Sequence, residues 1–239
     1  MPGAGFHRVL NERYSVLLGP TPHFTSVQRL RLENVEADVA EIRALVAEHD
    51  HRGTVWWIGA STTPPDLYER LLELGAEVPR DRVSELTAMA SGVEPEPSPV
   101  GVEARPVASF EEFAAGSAIQ WEAFGTPPER RSPETEGLRA IWEDMSPDVV
   151  PFLAFVEGRA AGYALGVYCP RGCLLVGGST LPDARGRGAY RALVRARWDE
   201  AVRRGTPALV TQAAPTSEPI LRRLGFQAVC RLRRLEDPE

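Results

Sequence analysis

Apolar residues alternate with polar ones in some stretches of the chain and recur every three to four positions in others, and these two periods outline its elements. Gly101 to Arg105 alternates and predicts a short strand. Ser109, ahead of Phe110-Glu111-Glu112-Phe113, suits a helix N-cap with acids in the first turn. That helix is expected to run to about Phe124, where Gly125-Thr126-Pro127-Pro128 stops it, and a second helix to span Pro133 to Met145. Strands follow at Val149 to Val156 and Ala161 to Tyr168, joined by the turn residues Glu157-Gly158-Arg159. Cys173 to Leu181 is apolar almost throughout, as a central strand would be. The best-defined helix runs from about Gly188 to Arg204. Tyr190, Leu193, Val194, Trp198, Ala201 and Val202 form its apolar stripe, with arginines and acids expected on the other faces. Gly205 ends it as a C-cap. A strand at Pro207 to Thr211, a short helix at Ser217 to Leu224 and a strand at Phe226 to Leu235 complete the order, which is that of an α/β fold with a sheet of mixed direction.

The first part of the chain echoes this ending. His51-Arg52-Gly53-Thr54 before Val55-Trp56-Trp57-Ile58 matches Arg203-Arg204-Gly205-Thr206 before Pro207-Ala208-Leu209-Val210. The preceding helices, Asp38 to Ala47 and Ala192 to Val202, are also alike, as are Leu67 to Gly75 and Ile220 to Gly225. A truncated duplicate explains this, chance similarity of two strand–helix units being the alternative. Between the copies, Gly92-Val93-Glu94-Pro95-Glu96-Pro97-Ser98-Pro99 has the prolines of an extended, semi-rigid connector. The expected organisation is therefore a smaller domain over 1–92, a linker over 93–100 and a complete domain over 101–239.

Composition changes this picture little. A 43% hydrophobic and 25% charged chain is ordinary for a globular protein. No apolar run approaches the length of a membrane span, and Met1-Pro2-Gly3-Ala4-Gly5 does not begin like a signal peptide, so a cytoplasmic location is expected. Cys169, Cys173 and Cys230 are too few for a disulfide framework, and His7, His23, His49 and His51 are remote from them in sequence, so no metal is expected. All 27 basic residues are arginine, which excludes a Schiff-base lysine. The net charge of -6 argues against general nucleic-acid binding and favours cationic small molecules as partners.

Chemistry concentrates at Leu181-Pro182-Asp183-Ala184-Arg185-Gly186-Arg187-Gly188-Ala189-Tyr190, between the central strand and the amphipathic helix. The first N–H groups of a helix have no internal partner and its dipole adds positive potential there. Glycines let a diphosphate approach the backbone, and arginines add charge. A plain glycine-rich turn with solvated arginines is the other reading. A dinucleotide site fits less well, since the pattern is not G-x-G-x-x-G.

Pro182 through Gly188 resembles the Pro-x-x-Arg-Gly-x-Gly turn of the GNAT superfamily of acyl-CoA-dependent N-acyltransferases, and Leu224-Gly225-Phe226 resembles the Leu-Gly-Phe ending of a later helix in that family. The resemblance covers about Val102 to Leu235, and implies a GNAT-type fold with a smaller GNAT-like N-terminal half. It implies acetyl-CoA as co-substrate, its diphosphate on Arg185, Gly186, Arg187, Gly188, Ala189 and Tyr190, and its pantetheine arm along Gly178, Ser179 and Thr180. It also implies direct attack by an amine without an acyl-enzyme, a mechanism that asks for positioning and an oxyanion donor more than for a nucleophile.

The chain departs from the family in two places. Tyr190 stands where Gly or Ala is usual, and either packs into the core or shapes the site. Leu221 stands where many relatives have a proton-donating tyrosine, and Ser217 is the nearest hydroxyl, as catalytic residue or as N-cap. Glu122 either draws or deprotonates the amine or is a solvated helix carboxylate. Trp121, Phe124 and Trp142 line an acceptor pocket or fill the core. The expected function is an N-acetyltransferase acting on a primary amine of a small molecule, as a monomer or homodimer, without nucleic acid or membrane. A CoA-binding sensor without turnover and a protein N-acetyltransferase are the alternatives.

Overall fold

The computed structural model describes residues 6–19, 22–80 and 83–238. The N-terminal Met1-Pro2-Gly3-Ala4-Gly5 segment read above lies outside them. In chain order the elements are β1 (His7–Leu10), β2 (Ser15–Leu18), β3 (Thr25–Gln28), α1 (Val35–Glu48), β4 (Val55–Ile58), α2 (Leu67–Glu73) and β5 (Glu85–Ser91). They continue as β6 (Val102–Pro106), α3 (Phe110–Ala123), α4 (Pro128–Glu143), β7 (Val149–Val156), β8 (Arg159–Cys169) and β9 (Gly172–Thr180). After a 3-10 turn (Pro182–Ala184) come α5 (Ala189–Arg203), β10 (Leu209–Ala213), α6 (Glu218–Arg223) and β11 (Gln227–Glu236). Among the described residues no helix is long and apolar enough to cross a membrane.

The chain folds into two compact units that do not follow its two sequence halves. One comprises Pro2–Ala88, Ala213–Glu218 and Val229–Glu239. Its strands run in the order β1-β2-β3-β4-β11. Successive pairs are antiparallel except β3 and β4, which α1 connects and which are parallel with Val27 opposite Trp56. Val39 and Ile42 of α1 and Leu67 and Leu71 of α2 bury against Trp56, Val27 and Leu235.

The other unit comprises Met89–Gln212 and Pro219–Ala228. The end of β5 lies beside β10, followed by β9, β8, β7 and β6. Strands β6 to β9 are antiparallel neighbours, and α5 connects β9 to a parallel β10. Phe113 and Ile119 of α3 and Leu138 of α4 pack on Leu153 and Tyr163, while Leu193, Val194 and Trp198 of α5 are also buried.

The order β1-β2-β3-α1-β4-α2-β5 is repeated as β7-β8-β9-α5-β10-α6-β11, with β6, α3 and α4 belonging to the second copy alone. The copies exchange their last strands: β11 pairs with β4, with Arg234 opposite Trp57, and β5 neighbours β10. Each compact unit thus takes a strand from the other half of the sequence.

Three local expectations need correction. Helix α4 starts at Pro128, ahead of the expected Pro133, because a proline at the first helical position lacks only an N–H that has no partner there anyway. On α5, Val202 is 50% exposed. On the same helix Arg197 and Glu200 are buried: Arg197 donates to the Leu193 and Leu165 carbonyls, and Glu200 pairs with Arg203 and Arg204.

Candidate functional site

The strand-to-helix loop presents donors without acceptors. Gly188 is the N-cap of α5 with a φ of 94°, and no side chain caps the helix. The first bond into the helix is Ala192 N–H to Gly188 O. Among the described residues, the N–H groups of Gly186, Gly188, Ala189 and Tyr190 have no acceptor. A side chain at Gly188 is excluded twice, by its left-handed backbone and by Pro99, whose Cγ would lie 2.5 Å from a Cβ there. Over Gly186 the space is open.

Ion pairs fix the loop from one side. Asp183 accepts from Arg159 at 2.6 Å, and Arg187 meets Glu157 at 2.5 Å, the partners being the first residue of β8 and the turn ahead of it. The Arg187 guanidinium holds the Glu157 carboxyl below its ordinary value. Further along α5, Arg191 and Arg195 bind Glu96 and Glu94 of the proline-rich segment. Arg185 has no carboxylate partner among the described residues, and its Nη2 lies 3.5 Å from Ala123 O at the end of α3. Four free N–H groups, open space above a glycine and an arginine without a counterion fit a diphosphate.

Strand β9 leads into this loop through a bulge. Leu165 faces Val176 but Tyr163 faces Ser179, so one extra residue is accommodated at Gly177-Gly178. Gly177 has a φ of 62°. Such an extra residue is left out of the ladder, which frees its polar groups. Pairing of β9 with β10 ends at Leu175 and Thr211, so the two strands separate just before the bulge. Tyr190 supports the bulge from the α5 side, where a Cβ on Gly178 would lie 2.7 Å from its ring. The Tyr190 side chain is half-buried, and desolvation raises its phenol above the ordinary value. The Ser179 hydroxyl is buried and donates to Tyr163 O at 3.1 Å, while Thr180 Oγ1 is buried without a partner. Gly177 escaped the sequence reading. A glycine pair inside an apolar strand was the available signal.

The other candidates are dispersed. Glu122 is exposed near the end of α3, and its carboxylate has no bond to the described residues. Ser217 belongs to the unit that contains β1 to β4, and its hydroxyl donates to Ala214 O at 3.1 Å. Leu221 is 1% exposed. Trp121 and Trp142 pack on the α3 core, whereas Phe124 is 59% exposed. Cys173 is buried, which pushes its thiol up to about 11. No group of three potential metal ligands occurs among the described residues.

The equivalent helix of the first copy is capped by side chains. Asn34 caps α1 by accepting from Ala37 N–H, and Asp38 Oδ2 accepts from the Glu33 and Asn34 N–H groups at 3.0 and 3.2 Å. Asp38 is 4% exposed and pairs with Arg13.

No family model matches the chain, and no curated protein does. Solved structures do. A GCN5-related N-acetyltransferase from Kribbella flavida superimposes with a TM-score of 0.72 at 22% identity, over 98% of this chain and 90% of that one. A tandem GNAT protein from the clavulanic acid biosynthesis pathway gives 0.64 at 16% identity, over 95% and 79%. A GCN5-related N-acetyltransferase from Sphaerobacter thermophilus gives 0.59 at 21% identity, over 96% and 81%. At these identities the likeness is one of fold: the chain has the mixed α/β fold of the GNAT acetyltransferases, present in a complete and a shortened copy.

Proposed function

We propose that the chain is an N-acetyltransferase that moves an acetyl group from acetyl-CoA to a primary amine of a small molecule by direct attack. The observation that carries this reading is the uncapped start of α5, with four unpartnered N–H groups, at the end of a strand that bulges just past its separation from β10. When bound, acetyl-CoA supplies an activated thioester. Gly186, Gly188, Ala189 and Tyr190 hold the diphosphate through their backbone, with Arg185 adding charge. Gly178, Ser179 and Thr180 offer backbone to the pantetheine arm, and the bulge offers an N–H to the acyl oxygen. Glu122 draws the cationic amine, which gives up a proton to that carboxylate or to water so that its neutral form attacks. Leu221 has no proton to give a leaving group, so water takes that task.

Leu221 also favours a second reading, a CoA-binding module without turnover. Thiol release across a panel of primary amines separates the two, since a sensor binds CoA and consumes none.

The binding site is tested by calorimetric titration with acetyl-CoA of the wild type, Gly186→Asn and Gly186→Asp. Both side chains point into open space, and both residues tolerate the φ of 76° at this position better than most. The two variants differ in charge alone. Gly186→Asp is expected to bind at least about tenfold more weakly than Gly186→Asn, a difference of ~1.4 kcal/mol or more from placing a carboxylate beside a diphosphate. A folded wild type that does not bind would sink the transferase reading.

A further inference from the structure

The bulge of β9 is covered on both faces. Tyr190 lies under Gly178, and Gln120 of α3 lies over Gly177. A Cβ on Gly177 would come 2.5 Å from Gln120 Nε2, which also donates to Gly177 O at 3.4 Å. A side chain at Gly178 would meet the Tyr190 ring, whereas at Gly177 the left-handed backbone calls for glycine and the Gln120 amide lies directly above it. Gly177 lies two residues beyond Leu175, where pairing with β10 stops, and Val176 beside it is 38% exposed. The opening between the strands and the side chain of Gln120 thus meet at the same residue. On the other side the half-buried Tyr190 ring packs directly against Gly178, where even a Cβ would lie 2.7 Å from it. Gln120 is also half-buried, and its amide is held by a single long hydrogen bond.

We propose that Gln120 is the acyl-size gate of this protein, a specificity-determining residue that admits an acetyl group over the bulge and excludes longer chains. The proposal rests on the CoA reading above, which sets the thioester at the bulge. An acetyl group adds one methyl beyond the carbonyl, whereas a hexanoyl chain must occupy the volume of the Gln120 side chain. The exclusion comes from volume, so it survives loss of the amide and fails on loss of bulk.

The test is calorimetric titration of the full-length wild type, Gln120→Ala, Gln120→Ser and Gln120→Leu with free CoA, acetyl-CoA and hexanoyl-CoA. Near-UV circular dichroism confirms that each variant is folded, and the serine variant serves if the alanine one is not. The wild type is expected to bind acetyl-CoA at least about tenfold more tightly than hexanoyl-CoA, within the range that pocket volume can supply. Gln120→Ala and Gln120→Ser remove that preference, Gln120→Leu keeps it, and free CoA binds all four proteins alike. Equal affinity of the wild type for the two thioesters, or an unchanged preference in Gln120→Ala, overturns the gate while leaving the CoA site in place. Failure of free CoA to bind the wild type overturns the reading beneath it, and the gate with it.

Discussion

Arg197 is the residue least expected from its type. It is 1% exposed on the sheet-facing side of α5, and its Nη2 has no acceptor. Burial depresses the guanidinium. Beside it are Tyr168, Cys173 and Tyr190, whose acid groups burial raises, so each is neutral near pH 7. A buried cation without a counterion loses its hydration with incomplete return. Arg197→Met, which keeps most of the volume, is expected to leave stability unchanged or raise it. Arg197→Ala leaves a void and is expected to cost about 2–5 kcal/mol. Urea unfolding of both measures this, and an equal loss in the two would show that the charge itself stabilises. By spacing, position 197 falls on the apolar stripe with Leu193, Val194 and Ala201. The period was the better guide, and residue type misled.

At the scale of elements, the ends were the legible parts. Ser109 accepts from Glu112 N–H as a cap, Gly205 closes α5 with a φ of 74°, and the turn at Glu157-Gly158 falls where polar residues interrupt two apolar runs. The uncapped start of α5 was legible for the same reason, since local sequence determines a helix start. The bulge was less so, because the side chains that pack on it, Gln120 and Tyr190, come from other elements. The start of α3 also carries a pH dependence. Arg105, and after it the Ala108 N–H, hold Glu112 down at about 2, against an ordinary 4.5. The unfolded chain therefore binds the extra proton between these values, and the stabilisation is complete above 4.5 and lost as pH falls through about 2. Glu112→Gln should melt at a lower temperature than the wild type at pH 6, with the gap narrowing steadily below pH 4.5. Melting curves from pH 6 to 2 check this, and a gap that does not change with pH would remove the ion pair as its source.

For the whole molecule, the strand exchange was not legible in the sequence. Helix α2 with β5 and helix α6 with β11 are alike, so either strand satisfies the same pattern beside β4 or β10, and periodicity does not identify the partner. The repeat itself was readable from Gly53 and Gly205, which lie ahead of the matching strands β4 and β10. Exchange sets an expectation for truncation. A chain beginning at Val93 lacks β5, and its β11 has no β4 to pair with. It should be insoluble or lack a cooperative thermal transition. A soluble fragment that melts cooperatively would show that the C-terminal half is self-sufficient.

The pairing of β4 with β11 also bears on how the protein is made. Ile58 leaves the ribosome well before Gln227, where its partner strand begins. At roughly 5–20 residues per second, translation separates them by on the order of ten seconds or more. Throughout that interval the apolar edge of β4, with Trp56 and Trp57, has no mate. The sheet of β1 to β4 thus stays incomplete until β11 is made, and a nascent-chain chaperone has a defined stretch to guard until then.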